Sequence, residues 1–276
     1  DLLNGGTGND RMFGGLGNDT YVVDSLADFI NDTGGTDLIQ TSINYSLVNL
    51  AAIENLATSN AAATTNLTLW GNASANQITG NAGNNSIDGR AGNDTMTGLG
   101  GNDTYFVDSV GDVIVDSSGF DTVRASVSYT LGAGVAIEVL TTASASLPLN
   151  LTGNELAQRV IGNNAANVIN GGAGNDTLTG YGGNDFFVFN TALNATTNVD
   201  TITDFNPIAD TIRLENTGTG LFNALGTGTL AASRFVVGTA ALDTADRIIY
   251  NRATGALFYD ADGSGAGAAI QFAVIQ

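Results

Sequence analysis

The chain has 276 residues, with 27 acids against 8 bases and a net charge of −19. Every base is arginine, and there is no lysine, histidine or cysteine. The charge excludes nucleic acid and anionic membrane surfaces as partners. The missing residue types exclude disulfide scaffolds, thiolate metal sites and imidazole catalysis. Acidic chains are often disordered, but this one is 43% hydrophobic, which disorder does not allow. Glycine is abundant at 37 residues and proline scarce at 2, a balance that favours repeated tight turns over linkers.

In chain order, residues 1–22 form a first repeat block. Asp1-Leu2-Leu3-Asn4 reads as the tail of a repeat already under way, so a longer parent chain is expected. From Gly5 the sequence runs GGTGNDRMF and from Gly14 GGLGNDTYV, a step of nine. Residues 23–70 follow as a spacer of β-type pattern, with room for a short helix near 49–55. Residues 71–106 carry four more nines: GNASANQIT, GNAGNNSID, GRAGNDTMT and GLGGNDTYF. Residues 107–152 repeat the spacer, and DTVRASVSYTL from Asp121 to Leu131 alternates as a half-buried strand does. Residues 153–188 carry the last four nines: GNELAQRVI, GNNAANVIN, GGAGNDTLT and GYGGNDFFV. Residues 189–276 diverge, as expected of the end of a solenoid that must cover its open core. Over all this runs a longer period: Gly17-Asn18-Asp19-Thr20-Tyr21 returns 84 residues later as Gly101-Asn102-Asp103-Thr104-Tyr105, and Glu54 returns as Glu138. No signal-peptide pattern is visible, nor an apolar run of about 18 residues that could span a membrane.

Within each nine, six residues suit a turn and three a short strand whose central apolar residue is buried. These central residues are Leu3, Met12, Tyr21, Ile78, Ile87, Met96, Tyr105, Val160, Ile169, Leu178 and Phe187. Two nines complete one coil, and coils stack at about the 4.8 Å strand spacing. Each turn then faces the turn 18 residues away, which pairs Asp1 with Asp19, Asn76 with Asp94, Asn85 with Asp103, Gln158 with Asp176 and Asn167 with Asp185. Carboxylates about 5 Å apart repel by roughly 3 kcal/mol at an effective dielectric near 20. A divalent cation removes that repulsion. An all-oxygen donor set suits Ca²⁺ better than Mg²⁺, zinc or copper. Turns that open on Asn or Gln supply a neutral oxygen and are expected to bind more weakly.

The GGTGND, GGLGND, RAGNDT and GGAGND turns resemble the RTX (repeats-in-toxin) calcium-binding family, and residues from about 184 resemble the C-terminal region of serralysin-type secreted proteins. The resemblance implies an all-β fold: parallel β-roll (β-solenoid) blocks interrupted by β-rich segments, with a β-rich C-terminal cap. It implies several Ca²⁺ ions, export by type I secretion machinery and folding outside a bacterial cell. Carried over to these positions, the ligands are Asp10, Asp19, Asp94, Asp103, Asp176 and Asp185, with carbonyls of Gly6, Gly8, Gly92, Gly101, Gly172, Gly174 and Gly183. The likeness departs at Gln276, where no further acidic–apolar tail is seen.

Other acids carry weaker signals. Asp260-Ala-Asp262-Gly-Ser264-Gly matches half of a helix–loop–helix calcium loop, without the glutamate twelve residues on, so Asp260 and Asp262 stand as calcium candidates on a par with a plain polar hairpin turn. Asp200, Asp204 and Asp210 recur near strand ends, where strand-edge solubility is favoured over ligation. Asp24, Asp28, Asp32 and Asp37, with Asp108, Asp112, Asp116 and Asp121, offer further ligands, though most of them read as solvated turn residues. Trp70 and the other aromatics read as core. No acid pair stands out from the rest, so the segment is expected to be non-catalytic. Its expected role is a secreted module of a structural protein, a surface layer, adhesin or filament, acting by self-assembly or on a cell-surface partner. The alternative is the secretion and stability domain of a secreted protease or polysaccharide-modifying enzyme.

Overall fold

The structure, a computed structural model, describes residues 1–217 and 221–276. It is an all-β parallel solenoid whose strands mostly span three or four residues, with one short 3-10 turn among the described residues, at Ala232–Arg234. The nine-residue step sets the strand length. Six positions are spent on the turn, three remain extended, and only the central one of three points inward. Burial follows that rule in Gln77–Thr79, Ser86–Asp88 and Thr95–Thr97, where the middle residue alone is buried. By contact the chain divides into two compact units, Asp1–Val139 and Leu140–Gln276.

In the first unit one parallel sheet takes Leu2–Asn4, Thr20–Val23, Leu38–Thr41, Asn55–Thr58, Gln77–Thr79, Thr95–Thr97 and Val113–Val115 in that order. The other side of the coil is built from Arg11–Phe13 with Phe29–Asn31, and from Tyr45–Ser46, Thr68–Trp70, Ser86–Asp88, Thr104–Val107 and Thr122–Ala125. Leu2 pairs with Thr20, Ser86 with Thr104 and Thr95 with Val113, each a step of 18. The segments between repeat blocks add strands to the same sheets at altered steps: Leu38 pairs with Asn55, and Asn55 with Gln77. That pairing requires extended backbone at Asn55, and so residues 49–55 form turns rather than the short helix the sequence left room for.

In the second unit Asn150–Thr152, Val168–Asn170, Phe186–Phe189 and Thr211–Leu214 make one parallel run. Arg159–Ile161, Thr177–Thr179 and Asp200–Ile202 make another, which Ile270–Ile275 extends in parallel. There the pattern changes. Ala256–Tyr259 runs antiparallel to both Ile270–Ile275 and Ile248–Asn251, closing the stack with a hairpin. Phe189, Phe222 and Phe272 meet edge to face beneath it, with ring centroids 5.1–5.2 Å apart.

In each unit the core is built from these inward residues. Met12, Tyr21, Ile78, Ile87, Met96, Tyr105, Val160, Ile169, Leu178 and Phe187 are all buried, and Leu3, in the first strand, is half-buried. Each buried aliphatic or Phe side chain contributes roughly 1.5–3 kcal/mol. The strands therefore fix the turns that carry the chemistry.

Candidate metal centres

Stacking brings the sixth residues of successive coils together. At these positions one carboxylate oxygen, Oδ1, accepts the backbone N–H of the residue one coil earlier. Asp94 accepts from Asn76 at 2.7 Å, Asp103 from Asn85 at 2.6 Å, Asp176 from Gln158 at 2.7 Å and Asp185 from Asn167 at 2.7 Å. At the first coil the Asp1 nitrogen meets Asp19 Oδ1 at 2.6 Å. The ladder then runs on beyond the repeats: Asp28 accepts from Asp10, Asp37 from Asp19, Asp112 from Asp94 and Asp121 from Asp103, at 2.6–3.0 Å. Glu54 and Glu138 cap it by accepting from Asp37 at 2.9 Å and from Asp121 at 2.6 Å. In the second unit Asp200 and Asp210 accept from Asp176 and Asp185 at 3.1 and 3.0 Å.

Glycine permits this close approach. Gly92 and Gly101 have φ of +142° and +99°. A Cβ on either would collide with the Ser74 or Gly83 carbonyl, one coil earlier. The turns consequently stack backbone against backbone.

The other oxygen of these carboxylates is the informative one. Oδ2 of Asp10, Asp19, Asp37, Asp94, Asp103, Asp121, Asp176 and Asp185 is buried and accepts no hydrogen bond. Asp37, Asp94 and Asp121 have no exposed surface at all. A buried polar atom left unpaired is costly, and an anionic one more so. The electrostatics record that cost. Burial pushes the Asp94, Asp103 and Asp185 carboxyls up to about 6 and Asp121 to about 7, even though each accepts a backbone hydrogen bond that pulls the other way. Burial likewise raises Asp176 and Asp200, and their mutual charge lifts Asp200 further. Hard oxygens, with no imidazole or thiolate in the chain, fit Ca²⁺, which takes six to eight oxygens at about 2.3–2.6 Å.

The structure places Asp10, Asp19, Asp94 and Asp103 in the ladders of the first unit and Asp176 and Asp185 in those of the second, with Gly6, Gly8, Gly172, Gly174 and Gly183 in turns at positive φ. The Asp1 residue is exposed and meets the ladder through its backbone nitrogen. The amide residues that open each block do something further. Asn76 Nδ2 donates to the Ile53 and Glu54 carbonyls, Asn85 Nδ2 to those of Asn81 and Gly83, and Asn167 Nδ2 to that of Leu149. Gln158 Nε2 donates to Asn154 Oδ1 at 2.6 Å. Asp260 and Asp262 lie in the hairpin turn of the second unit, where Asp262 Oδ2 accepts the Gly267 N–H at 3.0 Å.

Two sequence expectations are corrected. Asp37, Asp112, Asp116 and Asp121 are buried rather than solvated, because the next coil covers their turns. Asp200, Asp204 and Asp210 are not simple strand-edge residues, since each accepts a backbone N–H from the preceding coil. The 18-residue step extended past Asp94 and Asp103 reaches Asp112 and Asp121 and was the available signal.

A family model of the RTX calcium-binding nonapeptide repeat (4 copies) matches residues 1–21, 70–105 and 152–190. Those segments are the three repeat blocks, so the chain carries RTX repeats, and calcium is the ion they imply. No curated protein matches the chain.

Proposed function

We propose that the chain is a calcium-dependent extracellular module of a larger bacterial structural protein. On this reading it leaves the cell unfolded through type I secretion machinery and folds where calcium is abundant. It then serves a surface layer, adhesin or filament, by self-assembly or by contact with a cell-surface partner. Its part in that protein is structural, not catalytic, and residues 189–276 act as a cap of the serralysin type. The observation that carries the proposal is the column of buried Oδ2 atoms without hydrogen bonds, which makes the folded, metal-free chain electrostatically unfavourable. The duplication at 84 residues supports the structural role, since repeated coils enlarge a scaffold without adding chemistry.

Titration of Ca²⁺ into EDTA-treated chain, followed by circular dichroism, tests the proposal. A cooperative gain of β-signal with Ca²⁺, and none with Mg²⁺ at the same concentration, is expected. A metal-free chain that is already folded and indifferent to calcium would sink it.

A further inference from the structure

Two carboxylate clusters lie partly outside the repeats. In the first unit the carboxylate oxygens of Asp19, Asp32 and Asp37 converge within 4.8 Å of one another, and so do those of Asp103, Asp116 and Asp121. Only Asp19 and Asp103 fall within the matched repeat segments; the other four acids follow them. The two clusters are copies of each other, 84 residues apart.

The third carboxylate has a definite origin. Asp32 and Asp116 follow Gly14 and Gly98, the first residues of a nine, by one coil of 18. In the coil after the repeat, an aspartate thus stands where the repeat has glycine. Gly14 leaves the room this needs, since a Cβ there would strike the Asp19 and Asp32 carboxylates and the Tyr21 hydroxyl. The fully buried Tyr21 and Tyr105 hydroxyls donate to Asp32 and Asp116 and so fix their direction. Within each cluster the Oδ2 atoms of Asp19 and Asp37, or of Asp103 and Asp121, are buried and accept nothing. Those four residues are at most 3% exposed.

We propose that Asp19, Asp32 and Asp37 form one cation site and that Asp103, Asp116 and Asp121 form a second, each taking Ca²⁺. The inference rests on the calcium reading above and extends it to coils outside the repeats. Oxygens on opposite sides of a calcium ion stand about 5 Å apart, so the observed convergence fits one ion shared by three carboxylates. Three formal charges exceed what the leading turns offer, where Asn85 faces Asp103 and Asn76 faces Asp94. These two sites therefore bind most tightly and fill first.

Asp32→Asn with Asp116→Asn tests this, because asparagine keeps an acceptor for the tyrosine hydroxyl while removing the charge. Calorimetric Ca²⁺ titration of the whole chain is expected to show two fewer ions per chain, lost from the tightest phase. The calcium-induced gain of β-signal is expected to persist at higher Ca²⁺. An unchanged number of ions and an unchanged tight phase would overturn the inference while leaving the calcium reading intact; a wild-type chain that takes no calcium would overturn both. Should the double variant not fold, anomalous scattering from Tb³⁺-loaded wild-type crystals decides. A peak amid Asp103, Asp116 and Asp121 supports the site, and its absence there and amid Asp19, Asp32 and Asp37 refutes it.

Discussion

In six of the ten nines the second residue sits in left-handed backbone, a conformation that costs an L-residue about 1–2 kcal/mol. Gly6, Gly15 and Gly172 occupy it freely, but Arg90, Leu99 and Tyr181 hold it with φ of +63°, +81° and +67°. Tyr181 is 61% exposed, so its side chain contributes little packing to set against that strain. Replacing it with glycine relieves the strain but makes the unfolded chain more flexible, which returns roughly 0.4–1 kcal/mol. The net expectation for Tyr181→Gly is a gain of about 0.5–1 kcal/mol, read as a higher denaturant midpoint in saturating Ca²⁺. A lower midpoint would mean that the tyrosine ring, and not the backbone, governs that turn.

At the scale of the coil, a turn is completed by an acid that belongs to its neighbour. The strands and their inward residues were legible because Tyr21, Ile87 and Phe187 recur at a fixed place in every nine. Asp94 and Asp103 were legible for the same reason. Asp112 and Asp121 keep the step of 18 but stand in segments that have lost the first two glycines of the nine, and that loss disguised them. Asp200 and Asp210 follow Asp176 and Asp185 by 24 and 25 residues. Inserted loop residues break the step there, so only the folded chain reveals the match. The same ladder explains how the leading turns differ. Asn85 Nδ2 donates to two turn carbonyls, at 3.1 and 2.6 Å, and to Asp103 Oδ1 at 3.2 Å. Asn85→Asp replaces that donor with a second carboxylate beside Asp103. It is expected to raise calcium affinity several-fold and to destabilise the metal-free chain. Calorimetry and denaturation in EDTA would check both halves, and a variant that binds no tighter would show that Asn85 lies outside the metal column.

Across the whole molecule, buried aspartates couple folding to protons as well as to calcium. The Asp94, Asp103, Asp121 and Asp185 carboxyls titrate at about 6–7 when folded, against about 3.9 in an unfolded chain. Groups raised in this way favour the folded state in acid, and the advantage is lost as pH rises through their folded values. The metal-free chain is therefore expected to be most structured below about pH 4 and to lose structure as pH rises to about 7, above which Ca²⁺ restores it. Circular dichroism across that range in EDTA tests the sign, and a metal-free chain that is no better folded in acid would refute it. The ladder has a further consequence, because its bonds all point one way: each carboxylate reaches from a later coil back to an earlier one. A run of repeats is thus polar, like a roof tiled from one edge. Its leading edge can be lengthened by simple duplication, but its trailing edge ends in backbone amides that some other segment must cover. Glu54, Glu138, Asp200 and Asp210 are those covering pieces, and a copied block that left them behind would gain coils and lose its seal.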